Sequence, residues 1–353
     1  MTDIPEPARR LRVTLASSVQ LRRVRWLWDR RIMLGGLTLL AGREGIGKSA
    51  VSVDLAARVT HGLLDGETKG LARNVIYVHS EDARDYTVAP RLVAAGADLD
   101  RVAFLDAITP SADGEIESPL VLPLDAELLA DTIRDHDAAL VVLDAATSVI
   151  DARLNGDKDR QMRIGLERIA RIGQATGAAI LGIVHFGKRE SADTGKLILG
   201  SIAWSQVARS VLAAALDEDA EKLIISPTKH NLGPPAQSLR ASIVSQNIET
   251  AEGTASVARV EWLGETDQDA RDLLGPVSEH DEGDTQPAIG EAAVWLRGFL
   301  AERGGSAPFV DVLKAARTDD IAERTLRRAA KKIHVKPDRT GFGQGSIWRL
   351  LED

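Results

Sequence analysis

Gly42 and Gly47 stand with four residues between them, and Lys48 and Ser49 follow at once, between the apolar run "LTLLAG" and a helix-like stretch. This is the spacing and the context of a phosphate-binding loop. Glycines there admit positive φ and bring backbone N–H groups close to an anion, and the N-terminus of the following helix adds its own. Gly42, Arg43, Glu44, Gly45, Ile46, Gly47, Lys48, Ser49 and Ala50 are therefore expected to contact a nucleoside triphosphate. Lys48 would neutralise the β and γ phosphates, and Ser49 would offer its hydroxyl to magnesium. ATP and Mg2+ are the expected ligands.

Hydrolysis also needs a second metal contact and a base that orients water. Asp144 ends the apolar run "ALVVLD" and suits the metal. Alanines follow it, so the base must come from another strand. In "YVHSED" Glu81 and Asp82 sit at a strand's carboxyl end, where open parallel sheets bind ligands. Glu81 is the expected base, with Asp82 the alternative; either could instead cap the next helix. His185 ends "AILGIVHF" and suits either a γ-phosphate sensor or a purely structural role. The glycine-rich stretch after it, with Lys188, Arg189 and Lys196, reads as a mobile basic loop for single-stranded nucleic acid, or as an ordinary solvated one. No histidine pair has metal-ligand spacing, which argues against zinc.

These residues must be held by a sheet. Runs at 37–42, 74–82, 102–107, 139–146 and 178–186 are short, β-branched and nearly all apolar, as buried parallel strands are. Helix-period segments at 49–60, 84–95, 125–135 and 160–176 alternate with them. Further strands and a hairpin are expected from "SVLAAALD" and "KLIISPTKHN". The fold class is α/β, with a mostly parallel central sheet over residues 1–264, of which 1–24 form an arm. Trp26 and Trp28 are expected to pack against the sheet edge rather than stack on a base.

From Glu265 to Asp284 eight acidic residues meet one basic residue, Arg271, and 265–289 reads as a flexible acidic linker. Helical periodicity then resumes. Three helix patterns and two short strands around "TGFGQG" give a small winged-helix domain at 290–353, for DNA or for protein docking. Its third helix puts Arg324, Arg327, Arg328 and Lys331 opposite Leu326, Ala329, Ala330 and Ile333, so those four basic residues are the expected DNA contacts.

The 353-residue chain carries a formal charge of −8 and no cysteine, which excludes disulfides and thiolate metal sites. No apolar run nears the ~18 residues of a membrane span. A soluble cytoplasmic protein with no membrane partner is expected.

With these motifs in order, the chain resembles the RecA-like hexameric ATPases of the plasmid replicative helicase RepA type, a group of mobile-element and phage ATPases. The resemblance rests on "RWLWDRRIMLGGLTLLAGREGIGKS", "HSEDARDYTVAPRLVAAGADLDRV", "LVVLDAATSV", "ILGIVHFGK", "GSIAWSQVARSVL" and "SPTKHNLGPP". It implies a RecA-like P-loop fold and Lys48, Glu81, Asp144 and His185 as catalytic residues. It further implies that Arg209 enters a neighbouring subunit's site as an arginine finger, and that Lys229 lies at that interface, by the nucleotide. Related rings often carry arginine where this chain has Asn231. A homo-oligomer, a hexamer, is implied, with single-stranded DNA in its channel and duplex at the winged helix. The implied function is an ATP-dependent DNA helicase; the alternatives are an ATP-dependent DNA-binding regulator or a recombinase-like filament.

Overall fold

Short β-branched runs that end at glycine or polar residues cannot complete a buried helix and pair as strands. The computed structural model, which describes residues 13–80, 82–111, 114–154, 159–187, 191, 193–199, 201–218, 220–230, 232–274, 286–339 and 346–350, shows this for every run named above. A ribbon of β1 (Trp26–Trp28) and β2 (Ile32–Met33) leads into β3 (Leu37–Gly42), α1 (Lys48–Thr60), β4 (Asn74–His79), α2 (Ala89–Ala94) and β5 (Val102–Phe104). A hairpin of β6 (Ala107–Ser111) and β7 (Gly114–Ser118) comes next, then α3 (Ala126–Asp135), β8 (Ala138–Asp144), α4 (Asp159–Thr176), β9 (Ala179–His185), α5 (Ala203–Val207) and β10 (Ser210–Asp217). The domain ends with β11 (Lys222–His230), β12 (Ser238–Thr250), β13 (Gly253–Thr266) and α6 (Ala270–Leu274).

Nine strands form one sheet in the order β13-β12-β11-β10-β3-β9-β8-β4-β5. The six from β10 to β5 are parallel, and β11, β12 and β13 add on antiparallel. Side chains alternate between faces along each strand. Leu37, Leu39 and Ala41 therefore join a core layer with Leu166 and Ile169 of α4, while Leu40 joins the opposite layer with Val51 and Leu55 of α1. The strand that carries the glycine loop is thus buried on both faces and central in the sheet, which makes it a rigid support for that loop.

Three local features differ from the sequence reading. The helix expected over 84–95 divides into a π turn at Arg84–Val88 and α2, where Pro90 lacks the N–H that a continuous helix would use. The acidic stretch from 265 is not wholly a tether, because α6 buries Ala270 and Leu274 in the main core. And beyond the expected strands, β12 and β13 add a hairpin whose arms are 13 and 14 residues long. Its β13 lies along α1 and α2: Trp262 Nε1 donates to Asp54 Oδ2 at 2.7 Å, and its ring meets Trp28 edge-on at 5.6 Å. Trp28 is thereby a packing residue.

The C-terminal unit contains α7 (Gln286–Ala301), β14 (Ser306–Pro308), α8 (Phe309–Thr318), α9 (Glu323–Lys332), β15 (Val335–Arg339) and β16 (Ser346–Leu350). Its three strands are antiparallel in the order β14-β16-β15, and Leu296, Leu300, Phe309, Val312, Leu326 and Trp348 form its own core. Leu326, Ala329 and Ala330 face inward as the helical spacing requires.

Candidate nucleotide site

All six parallel strands end at one edge, and the loop after β3 opens there. Gly47 is the residue before α1 and has φ 98°, while Gly45 has φ 75°. Both lie in the left-handed region that favours glycine. A Cβ at Gly45 would meet nothing within 4 Å, so the loop backbone faces open space. At Gly42 the reason differs: a Cβ would stand 2.7 Å from both Ala214 O and Ile46 Cδ1. Glycine at 42 lets β10 run alongside the loop.

The loop forms one wall of a cavity of about 320 Å³ lined by Glu44, Lys48, Ser49, His79, Asp82, Arg91, Asp144 and His185, among others. Lys48 is 4 % exposed, with Nζ donating to Arg43 O at 2.6 Å and standing 3.3 Å from His185 Nδ1. The register pairs Gly42 with His185 and His79 with Asp144, which brings four strand ends to one place. Lys48, Ser49, Asp144 and His185, expected to work together, do share this cavity. Of the remaining expected contacts, Arg43 is exposed, Ile46 half-buried, and Ala50 buried at the cavity wall.

Asp144 is held in place. Tyr77 Oη donates to Asp144 Oδ2 at 2.9 Å, and Ser52 Oγ lies 2.8 Å from the same phenol oxygen. Burial, with Asp144 beside it, pushes the Tyr77 phenol well above its ordinary pKa, so it stays a donor. Below the aspartate, Ser80 N and Oγ donate to the Asp144 carbonyl. Asp82 accepts from Arg91 Nη1 at 3.0 Å. His79 Nε2 accepts from Arg84 Nε at 2.7 Å, which leaves the proton of a neutral ring on Nδ1.

The donor set suits magnesium. Ser49 and Asp144 border the same cavity, and among the described residues no group of three or more His, Asp or Glu could hold a metal alone. An ion between the two would take its other oxygens from phosphate and water, as Mg2+ does.

Some expected residues lie elsewhere. Glu81, Lys188 and Arg189 are outside the described residues, as are the side chains of Arg324 and Lys331. The loop expected to be mobile folds back onto β9 over part of its course: Leu197 and Ile198 are buried, and Leu199 N donates to His185 O. Lys196 is exposed beside Asp193. Arg328 is half-buried on α9.

Arg209 is exposed at the start of β10, where its N–H donates to Leu37 O at the start of β3. It lies at the sheet edge opposite the cavity. Lys229 is at that far edge too, paired with Val211, and not beside this chain's nucleotide loop. Its Nζ donates to Ser205 O, Gln206 O and Ala208 O, the unsatisfied carbonyls at the end of α5. Burial and the neighbouring Arg209 charge lower its pKa. Within one chain, three backbone carbonyls take up the donors of Lys229, which stands at the same edge as Arg209.

Arg327, expected to face nucleic acid, is turned inward. Its Nη2 contacts Glu323 Oε1 at 2.9 Å and Asp217 Oδ2 of the main domain at 3.0 Å, and the guanidinium lies over the Phe309 ring.

Sequence reasoning missed Tyr77, His79, Arg91, Ile243 and Ala258. Tyr77 carries no signal, since an aromatic within "VIYV" reads as core. Ile243 and Ala258 reach the cavity from the β12–β13 hairpin, and Ile243 Cγ1 would stand 2.8 Å from a Cβ at Gly47. No local pattern could have shown this.

A family model described as "AAA domain" matches residues 4–191, more than half of the chain. No curated protein matches it. No helix among the described residues is long and apolar enough to cross a membrane.

Proposed function

Because the chain belongs to the AAA-domain family, as an ATPase on a RecA-like α/β sheet, we propose that it is a DNA helicase and translocase of the RepA type. In this reading the chain assembles as a homo-hexameric ring that hydrolyses ATP to move on single-stranded DNA, in the replication of a mobile element or phage.

One observation carries the reading. Arg209 and the cavity lie at opposite ends of β3, which at about 3.3 Å per residue is roughly 17 Å long. An arginine so placed cannot serve its own subunit's phosphates, but it suits a neighbour's. Within each site Lys48 neutralises the phosphates, Glu81 orients the attacking water, and His185, beside Lys48, senses the γ-phosphate. Arg209 of the adjacent copy stabilises the developing charge. Ser49 and Asp144 would hold magnesium, which would supply positive charge to the phosphate oxygens. The three helices and three-stranded sheet at the C-terminus support a winged helix that recruits the ring to duplex DNA.

The test is ATP turnover with and without single-stranded DNA, beside unwinding of a forked duplex. Stimulation together with unwinding is expected. DNA binding with neither selects a nucleotide-controlled regulator and overturns the motor.

A further inference from the structure

Asp217 ends β10 with its side chain 1 % exposed, on the sheet edge that carries the nucleotide cavity. Its Oδ1 accepts from Ala220 N at 3.1 Å, and its Oδ2 from Gln268 Nε2 at 2.8 Å and Arg327 Nη2 at 3.0 Å. The first two donors are neutral. A carboxylate withdrawn so far from water needs a positive partner, and Arg327 is one that comes from the other folded unit.

From the side of α9 the arrangement is equally committed. The Arg327 side chain is 16 % exposed, with Nε and Nη2 on Glu323 Oε1 and its guanidinium 4.6 Å from the Phe309 ring centre. A phosphate group needs the same planar donor face that Asp217 and Glu323 now cover. One guanidinium cannot hold both.

We propose that Arg327 and Asp217 form an interdomain latch: the Asp217 carboxylate and a nucleic-acid phosphate compete for Arg327, so α9 releases the ATPase domain when it takes DNA. The competition rests on reading the C-terminal unit as DNA-binding; the docking does not. In the latched state Arg327 is withheld from nucleic acid. Apparent DNA affinity is then the intrinsic affinity scaled by the unlatched fraction.

The chain has no cysteine, so Leu263→Cys on β13 and Val310→Cys on α8, both at exposed positions, give two dye sites on the full-length protein. Energy transfer between them reports docking, and a labelled duplex reports DNA affinity. Asp217→Asn and Arg327→Gln are each expected to lower the transfer, as is duplex DNA added to the parent chain. Asp217→Asn should tighten duplex binding about tenfold if the latched form holds about nine-tenths of the population. Arg327→Gln, which removes the contested group, should not. Basal ATP turnover reports whether Asp217→Asn is folded; if it is not, Arg327→Gln and added DNA carry the docking test.

Unchanged transfer in Arg327→Gln overturns the latch. Lowered transfer with unchanged duplex affinity in folded Asp217→Asn overturns the competition. Lowered transfer with no duplex binding by any chain overturns the DNA-binding reading and the competition, and leaves the docking established.

Discussion

Tyr77 Oη donates a hydrogen bond to Asp144 Oδ2 across two adjacent parallel strands, at 2.9 Å. Tyr77→Phe removes that donor and little volume. The loss of one hydrogen bond to a charged group is about 1.5–3 kcal/mol, and ATP turnover is expected to fall by roughly ten- to a hundredfold if all of it is felt at the metal. A magnesium titration of the variant checks this, with a raised magnesium requirement as the expected result. The phenol also makes a pH prediction. Its pKa is raised in the folded chain, so the folded state keeps a proton that the unfolded state loses above about pH 10. Stability then falls as pH rises through that range, and Tyr77→Phe lacks this part of the loss. Denaturant melts of both chains on either side of about pH 10 measure it.

Gly47→Ala meets two obstacles, a φ of 98° and Ile243 Cγ1 at 2.8 Å. A loss of about 1–3 kcal/mol in stability is expected from the backbone alone, together with weakened nucleotide binding. Adding Ile243→Ala removes the steric part and not the backbone part, so the double variant should recover only partially. Full recovery would mean that the positive φ is unimportant.

Arg209→Ala and Lys48→Ala should each be inactive alone. When mixed, they are expected to recover a fraction of turnover, because one interface then joins an intact loop to an intact arginine. Mixtures that stay silent at every ratio would overturn the action of Arg209 across the interface.

Lys229→Met leaves three carbonyls at the end of α5 without their donor, in the turn that leads to Arg209. About 1–3 kcal/mol of stability should be lost. Turnover should drop while nucleotide affinity holds, since Lys229 stands at the far edge of the sheet. Equilibrium binding of a fluorescent ATP analogue separates the two effects.

Glu81→Gln is expected to bind ATP and not hydrolyse it. Asp82→Asn should retain turnover, because Asp82 is engaged by Arg91. The reverse pattern, read by single-turnover hydrolysis, would make Asp82 the base.

The chain order of residues determined much of this protein. Glycine spacing before Lys48, uniform apolar runs of strand length, and the helical period of Leu326, Ala329 and Ala330 all act over a few residues, through backbone sterics and burial of one face. Those local rules are enough for the α/β class, the nucleotide loop, and the convergence of Asp144 and His185 on it. Tertiary structure decided the rest. Tyr77 looks like core until the register of β4 against β8 sets it beside Asp144. Ile243 reaches Gly47 only because β12 adds to the sheet's far side and its hairpin returns over α1 and α2. Lys229 and Arg327 read as cations for phosphate, and both found nearer partners, one in the carbonyls of α5 and the other in the buried carboxylate of Asp217. A charge in sequence carries no direction. What it pairs with depends on which desolvated group of opposite sign the fold brings within about 3 Å, and that is a property of the assembled chain.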